Sequence, residues 1–123
     1  VVHMHGPVSF SAVLVPFFRQ CADVFLSCHR QSDPSCTYLE SMGCGIPIVG
    51  YQNSMWKVLA ESSGGGWAVP VGKVGRITEQ IAKLDGDREL LIEAGKRGAK
   101  FAKSHDFETE LSKRMTHLRG FVA

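Results

Sequence analysis

Four short runs of this chain are apolar at almost every position: Val1 to Met4, Ala22 to Cys28, Ile46 to Tyr51 and Trp67 to Val71. A strand with one wet face alternates between apolar and polar residues. A strand covered on both faces does not, and short runs rich in β-branched and aromatic residues are what such strands look like. Between and after the runs, apolar residues recur instead at helical spacing. Strand and helix therefore alternate, with short connections, which predicts an α/β fold: a parallel sheet with helices on both faces.

The helices can be placed from their ends. Ala12 to Cys21 carries Val13, Leu14, Phe17, Phe18 and Cys21 on a helical repeat, with Pro16 marking the first turn. Ser35 to Met42 reads as a helix opened by Asp33, Pro34 and Ser35 and ended by Gly43 and Gly45. Ser54 to Glu61 is capped by Asn53 or Ser54 and stopped by Gly64, Gly65 and Gly66. Ile77, Ile81 and Leu84 define a further helix, broken at Asp85-Gly86-Asp87. Leu90, Leu91, Ala94 and Phe101 define the next, up to Ser104. Asp106 caps a last one, with Phe107, Leu111, Met115 and Leu118 on one face. Having no strand after them, these last two helices are predicted to pack at an outer edge of the sheet or to reach toward a missing neighbour.

Composition narrows the function classes. A net charge of +2 among 123 residues is too small to argue for nucleic acid as a partner. The apolar runs are too short to span a bilayer. The chain starts on VVHMHG, with neither an initiator methionine nor a charged leader, and reads as an excised piece of a longer, cytoplasmic protein. Its four cysteines, Cys21, Cys28, Cys36 and Cys44, form no CxxC pair. They are expected to be reduced, partly buried small residues. A metal site built on Cys28, His29 and Cys36 with His3 and His5 would rest on sequence proximity alone, and no metal is expected. Lys96, Arg97, Lys100 and Lys103 make a basic helix face, read as solvated; an anionic membrane surface is its other use.

The stretch SDPSCTYLESMGCGIPIVGY, Ser32 to Tyr51, carries the chemistry. In open α/β sheets ligands sit beyond the carboxyl ends of the strands, where loops run into helix starts. Backbone N–H groups at Ser35, Cys36 and Thr37 would lack helical partners there, and a diphosphate would satisfy them. The hydroxyls of Ser32, Ser35 and Thr37 add donors. Glu40 lies one turn further along, where a carboxylate could accept both hydroxyls of a ribose. On position alone, a ribose ligand and a solvated helix glutamate stand even.

ADVFLSCHRQSDPSCTYLESMGCGIPIVGY, followed by GGGWAVP, resembles the C-terminal domain of retaining, two-domain (GT-B fold) glycosyltransferases. That family carries a Glu-x7-Glu motif running into a segment like EAMACGxPVV, which LESMGCGIPIVG matches almost position by position. The resemblance spans most of residues 1–123 and implies the Rossmann-like, nucleotide-sugar-binding half of a GT-B enzyme. It implies a donor ribose on Glu40 and a donor diphosphate on Ser35, Cys36 and Thr37. The first glutamate of the motif falls on Ser32, with Asp33 one place off, so these two are assigned to the donor sugar. Gly6 matches a glycine-bearing loop near the base, and Arg30 stands at the end of a strand where it could face the donor.

The full-length parent is thereby expected to transfer a sugar from a nucleoside diphosphate to a hydroxyl acceptor, without a metal cofactor. The acceptor, held mainly by a preceding domain, and a peripheral membrane contact complete the implied partners. The opening strands of the donor domain, which bring the family's basic pair, are not among these residues, so the fragment alone is expected to be inactive. A related nucleotide-sugar epimerase and a non-catalytic nucleotide-binding module are the competing readings.

Overall fold

The structure, a computed structural model, describes residues 1–32 and 36–122. A π-helical turn, Phe10–Leu14, runs into α1 (Val15–Cys21), followed by β1 (Phe25–Ser27), α2 (Thr37–Gly43), β2 (Ile48–Tyr51), α3 (Ser54–Ser63) and β3 (Gly66–Val69). Three helices complete the chain: α4 (Val74–Gly86), α5 (Arg88–Lys103) and α6 (Phe107–Arg119). The strands form one three-stranded parallel sheet in the order β1-β2-β3.

Local chemistry sets most of the element ends where the sequence puts them. Pro16 lies in the first turn of α1, where its missing N–H has no helical acceptor to lose. Asn53 caps α3 by accepting from Trp56 N at 2.8 Å, and Gly64, at φ 62°, ends it in the left-handed region. Asp87 caps α5 and Asp106 caps α6 in the same way.

The central strand organises the rest. All four residues of β2 are buried, so both of its faces need cover. Ile48 points into a cluster with Tyr38 and Met42 of α2 and Trp56 of α3. Val49 and Tyr51 point the opposite way, into a cluster with Val69, Ile77 and Leu84 of α4 and Leu91 of α5. Consecutive right-handed crossovers in a sheet of order 1-2-3 put their helices on one face, which is where α2 and α3 lie; α4 then crosses to the other. Trp56 is wholly buried, stacks on Tyr38 at 5.1 Å and donates from Nε1 to Trp67 O at 3.2 Å.

Helix α5 departs from its predicted place at the sheet edge. It crosses the amino ends of β2 and β3, because Ala94, Gly95 and Gly98 give it a face with almost no side chain. A Cβ on Gly95 would run into the Gly45 carbonyl oxygen, and a Cβ on Gly65 would lie 2.9 Å from the Gly98 Cα. From there α5 packs along α2 and adds Phe101 and Ala102 to the cluster around Trp56. Arg97 Nε donates to Gly64 O at 3.0 Å, so this member of the basic face fastens α5 to the end of α3. Lys96 is held by Glu93 at 2.9 Å.

Two further expectations are corrected. Val1 to Met4 forms no strand: the segment is exposed and pairs with nothing among the described residues. Apolar composition permits a strand, but only a neighbouring ladder makes one. Cys21, Cys28 and Cys36 are exposed, and only Cys44 is partly buried; all four are free thiols. α6 does form, but none of its residues is buried, and Phe107, Leu111, Met115 and Leu118 face outward. Among the described residues no helix is long and apolar enough to cross a membrane.

Removing the Trp56 ring should cost about 3–5 kcal/mol, as large aromatic truncations in cores do. Trp56→Ala and Gly95→Ala should both lower the midpoint of urea unfolding, the first through a cavity and the second by lifting α5 off Gly45. An exposed substitution such as Val58→Ala should leave the midpoint nearly unchanged.

Candidate functional site

With α5 lying across the amino ends of β2 and β3, the carboxyl ends are where loops gather. The chain leaves β1 through Cys28, His29, Arg30, Gln31 and Ser32, all exposed. An open cleft of about 530 Å³ is lined by His29, Arg30, Gln31 and Ser32. Asn53 holds this loop at its root. It is 4% exposed, and its amide nitrogen donates to His29 O at 3.0 Å and to Tyr38 Oη at 3.1 Å. Ser27 Oγ, at the end of β1, donates to the same Tyr38 oxygen at 3.2 Å. With Trp56 N on its carbonyl oxygen, Asn53 has an amide whose two N–H groups and oxygen are all engaged. One buried side chain therefore caps α3, fixes the turn out of β1 and steadies the first turn of α2.

Asn53 as a helix cap was legible in the sequence. Its grip on His29 and Tyr38 was not, because it joins three segments far apart in the chain. The loop after β3 also reaches the crest: Arg30 Nη2 lies 3.6 Å from the position a Cβ on Gly72 would take.

Of the residues the sequence singles out, Ser32 and Arg30 line the cleft after β1. Cys36 is exposed and sits at the capping position of α2, where its side chain makes no capping bond; Thr37, half-buried, is the first helical residue. Asp33 and Ser35 fall outside the described residues. Gly6 belongs to the exposed amino-terminal segment, with nothing within 4 Å of a Cβ placed there, and it lines neither the cleft after β1 nor the one that holds Glu40.

Glu40 is exposed and lines a second cleft of about 540 Å³ between α2 and the turn from α5 to α6. Leu39, Gly43, Ala99 and Ala102 supply its small and apolar lining, and Lys103, His105 and Asp106 its polar rim. His105 stacks on Phe101 at 4.2 Å, and its Nδ1 lies 2.9 Å from the Phe101 carbonyl oxygen. Asp106 accepts from Thr109 N at 2.7 Å, and that backbone hydrogen bond holds its carboxyl below the ordinary value. This rim escaped sequence reading, which took Asp106 as a cap alone. Glu40 and Ser32 thus lie on different clefts, with α2 carrying one and the loop before it the other. Among the described residues, no three of His, Cys, Asp and Glu come together as a metal site requires.

Compared with known proteins, the chain matches no family model, no curated protein and no solved structure. Its geometry and chemistry therefore carry the functional reading.

Two measurements probe this architecture. Asn and Asp cap helices about equally well, so Asn53→Asp would be mild if capping were its only task. Here it replaces two N–H donors by an acceptor facing a carbonyl, and it should cost about 1–3 kcal/mol in urea unfolding. The second concerns Asp106. Its pKa is depressed in the folded chain, so its support of α6 is present above the ordinary value of 3.8 and is lost as the pH falls below it. The Thr109 amide resonance should report that loss, and Asp106→Asn should abolish the titration while keeping the cap.

Proposed function

We propose that this chain is the donor-binding part of a glycosyltransferase that uses a nucleoside diphosphate sugar, with a Rossmann-like sheet of the GT-B type. One observation carries the reading. The segment that resembles the family, Ala22 to Tyr51, holds β1, the crest loop, α2, a Gly-Cys-Gly turn and the fully buried central strand. That is the arrangement the motif's chemistry requires. A crest loop and a helix start face the ligand, and a glycine turn returns the chain to the sheet.

In this reading Glu40 accepts the ribose hydroxyls, in a cleft whose lining of Gly43, Ala99 and Ala102 leaves room for a flat ligand. Backbone groups around Ser35, Cys36 and Thr37 meet the diphosphate, Ser32 and Asp33 the sugar, and Arg30 faces the donor from the loop. The two clefts would then take the two ends of one extended molecule, with α2 between them. No catalytic residue is assigned within these residues: transfer needs leaving-group stabilisation and an acceptor site supplied by the rest of the parent. The parent is read as a cytoplasmic enzyme of glycan or glycolipid synthesis.

Calorimetric or NMR titration with several nucleoside diphosphates tests the reading. The chain should bind at least one of them weakly. Glu40→Ala should bind it roughly tenfold less tightly, the worth of a charge-assisted hydrogen bond. Absence of binding to every nucleotide, or equal binding by both proteins, would overturn the ribose assignment.

A further inference from the structure

One cation reaches from the loop after β1 to the turn after β3. Asn53, at the start of α3, fixes the His29 carbonyl and so sets where the next residue leaves the loop. From there the Arg30 side chain runs to the turn after β3, where its Nη2 comes to rest beside Gly72. That reach joins the loops of the two strands that flank β2. The far turn is built to receive it. Lys73 N donates to Pro70 O at 3.1 Å, and Gly72 adopts φ 76°, a left-handed conformation that favours glycine and leaves no side chain in the way. Lys73 follows directly and is exposed.

Arg30 forms no ion pair among the described residues, unlike Arg76 and Arg88, which are matched by Glu79 and Asp23. A guanidinium that reaches a second loop carrying an exposed lysine, beside a cleft with no acid among its described lining residues, suits an anion with charge on more than one group.

We propose that Arg30 is a diphosphate-binding residue of this site, spanning from the β1 loop to the Gly72-Lys73 turn so that both loops close on the same anion. The proposal rests on the donor-binding reading above for its biological ligand, but its chemistry can be tested without a nucleotide. An arginine planted on a crest loop gives the site a cation of its own, in addition to backbone groups.

The probe is inorganic pyrophosphate, titrated into the ¹⁵N-labelled chain at low salt. Amide shifts are expected at Arg30, Gln31 and Ser32, and also at Val71, Gly72 and Lys73 across the crest. Arg30→Gln should weaken binding at least about tenfold and remove the response of the Val71 to Lys73 turn, with Arg30→Lys intermediate. Arg30 is exposed and unpaired among the described residues, so these variants should keep the amide spectrum of the folded chain. Arg114→Gln on α6 is the matched control and should bind like the unaltered chain. No pyrophosphate binding, binding unchanged in Arg30→Gln, or shifts confined to the Lys96 to Lys103 face would each overturn the proposal. The two readings separate cleanly. If nucleoside diphosphates bind through Glu40 without Arg30, this assignment fails and the donor reading stands. If pyrophosphate needs Arg30 but nucleotides bind no better than pyrophosphate, the donor reading fails and the anion site stands.

Discussion

A single strand buried on both faces dictates most of this structure. β2 offers side chains to each side of the sheet and can leave neither exposed, so one cover must come from α2 and α3 and the other from α4 and α5. The apolar area involved outweighs anything the surface ion pairs contribute. Arg76–Glu79, Arg88–Asp23 and Lys113–Glu110 are all well exposed, and each is worth at most about 1 kcal/mol. β1 shows what happens where cover runs out. Its Leu26 pairs with Val49 in register, yet is 46% exposed and belongs to neither core cluster among the described residues.

Buried architecture at one end leaves chemistry at the other. The amino ends of β2 and β3 lie against α5 with glycine on both sides of the contact, and so close an approach leaves no space for a ligand. The carboxyl ends open into loops of different length, and the one after β1 lines a cleft. The Ser27–Tyr38–Asn53 network lies beneath these loops. It is a buried polar network between two apolar clusters, and it gives the exposed, charge-bearing loop a hydrogen-bonded root.

How far the sequence discloses this depends on the range of the interaction. Pro16, Asn53, Gly64, Asp87 and Asp106 act within one turn of themselves, and each marks a boundary that the structure keeps. The strand expected at Val1 to Met4 depended on a neighbour that composition cannot supply. The course of α5 was hidden for another reason. Attention to large apolar residues passes over Gly95 and Gly98, whose information lies in the side chains they lack. The separation of Glu40 from Ser32 is likewise a matter of helix rotation. Counting residues gave their order along the chain, and the turn of α2 sent Glu40 toward the α5–α6 corner.

The passage of α5 beneath the strands also has a consequence for the order of assembly. Each βαβ unit makes its contacts soon after its residues emerge, whereas the contact between Gly95 and Gly45 closes a long loop. Closure of that kind costs entropy before any packing offsets it, and it slows folding more than it weakens the folded state. During synthesis, the amino end of β2 is therefore uncovered until α5 has left the ribosome. The glycines that make the finished contact so close are also the residues that hold the nascent helix least firmly.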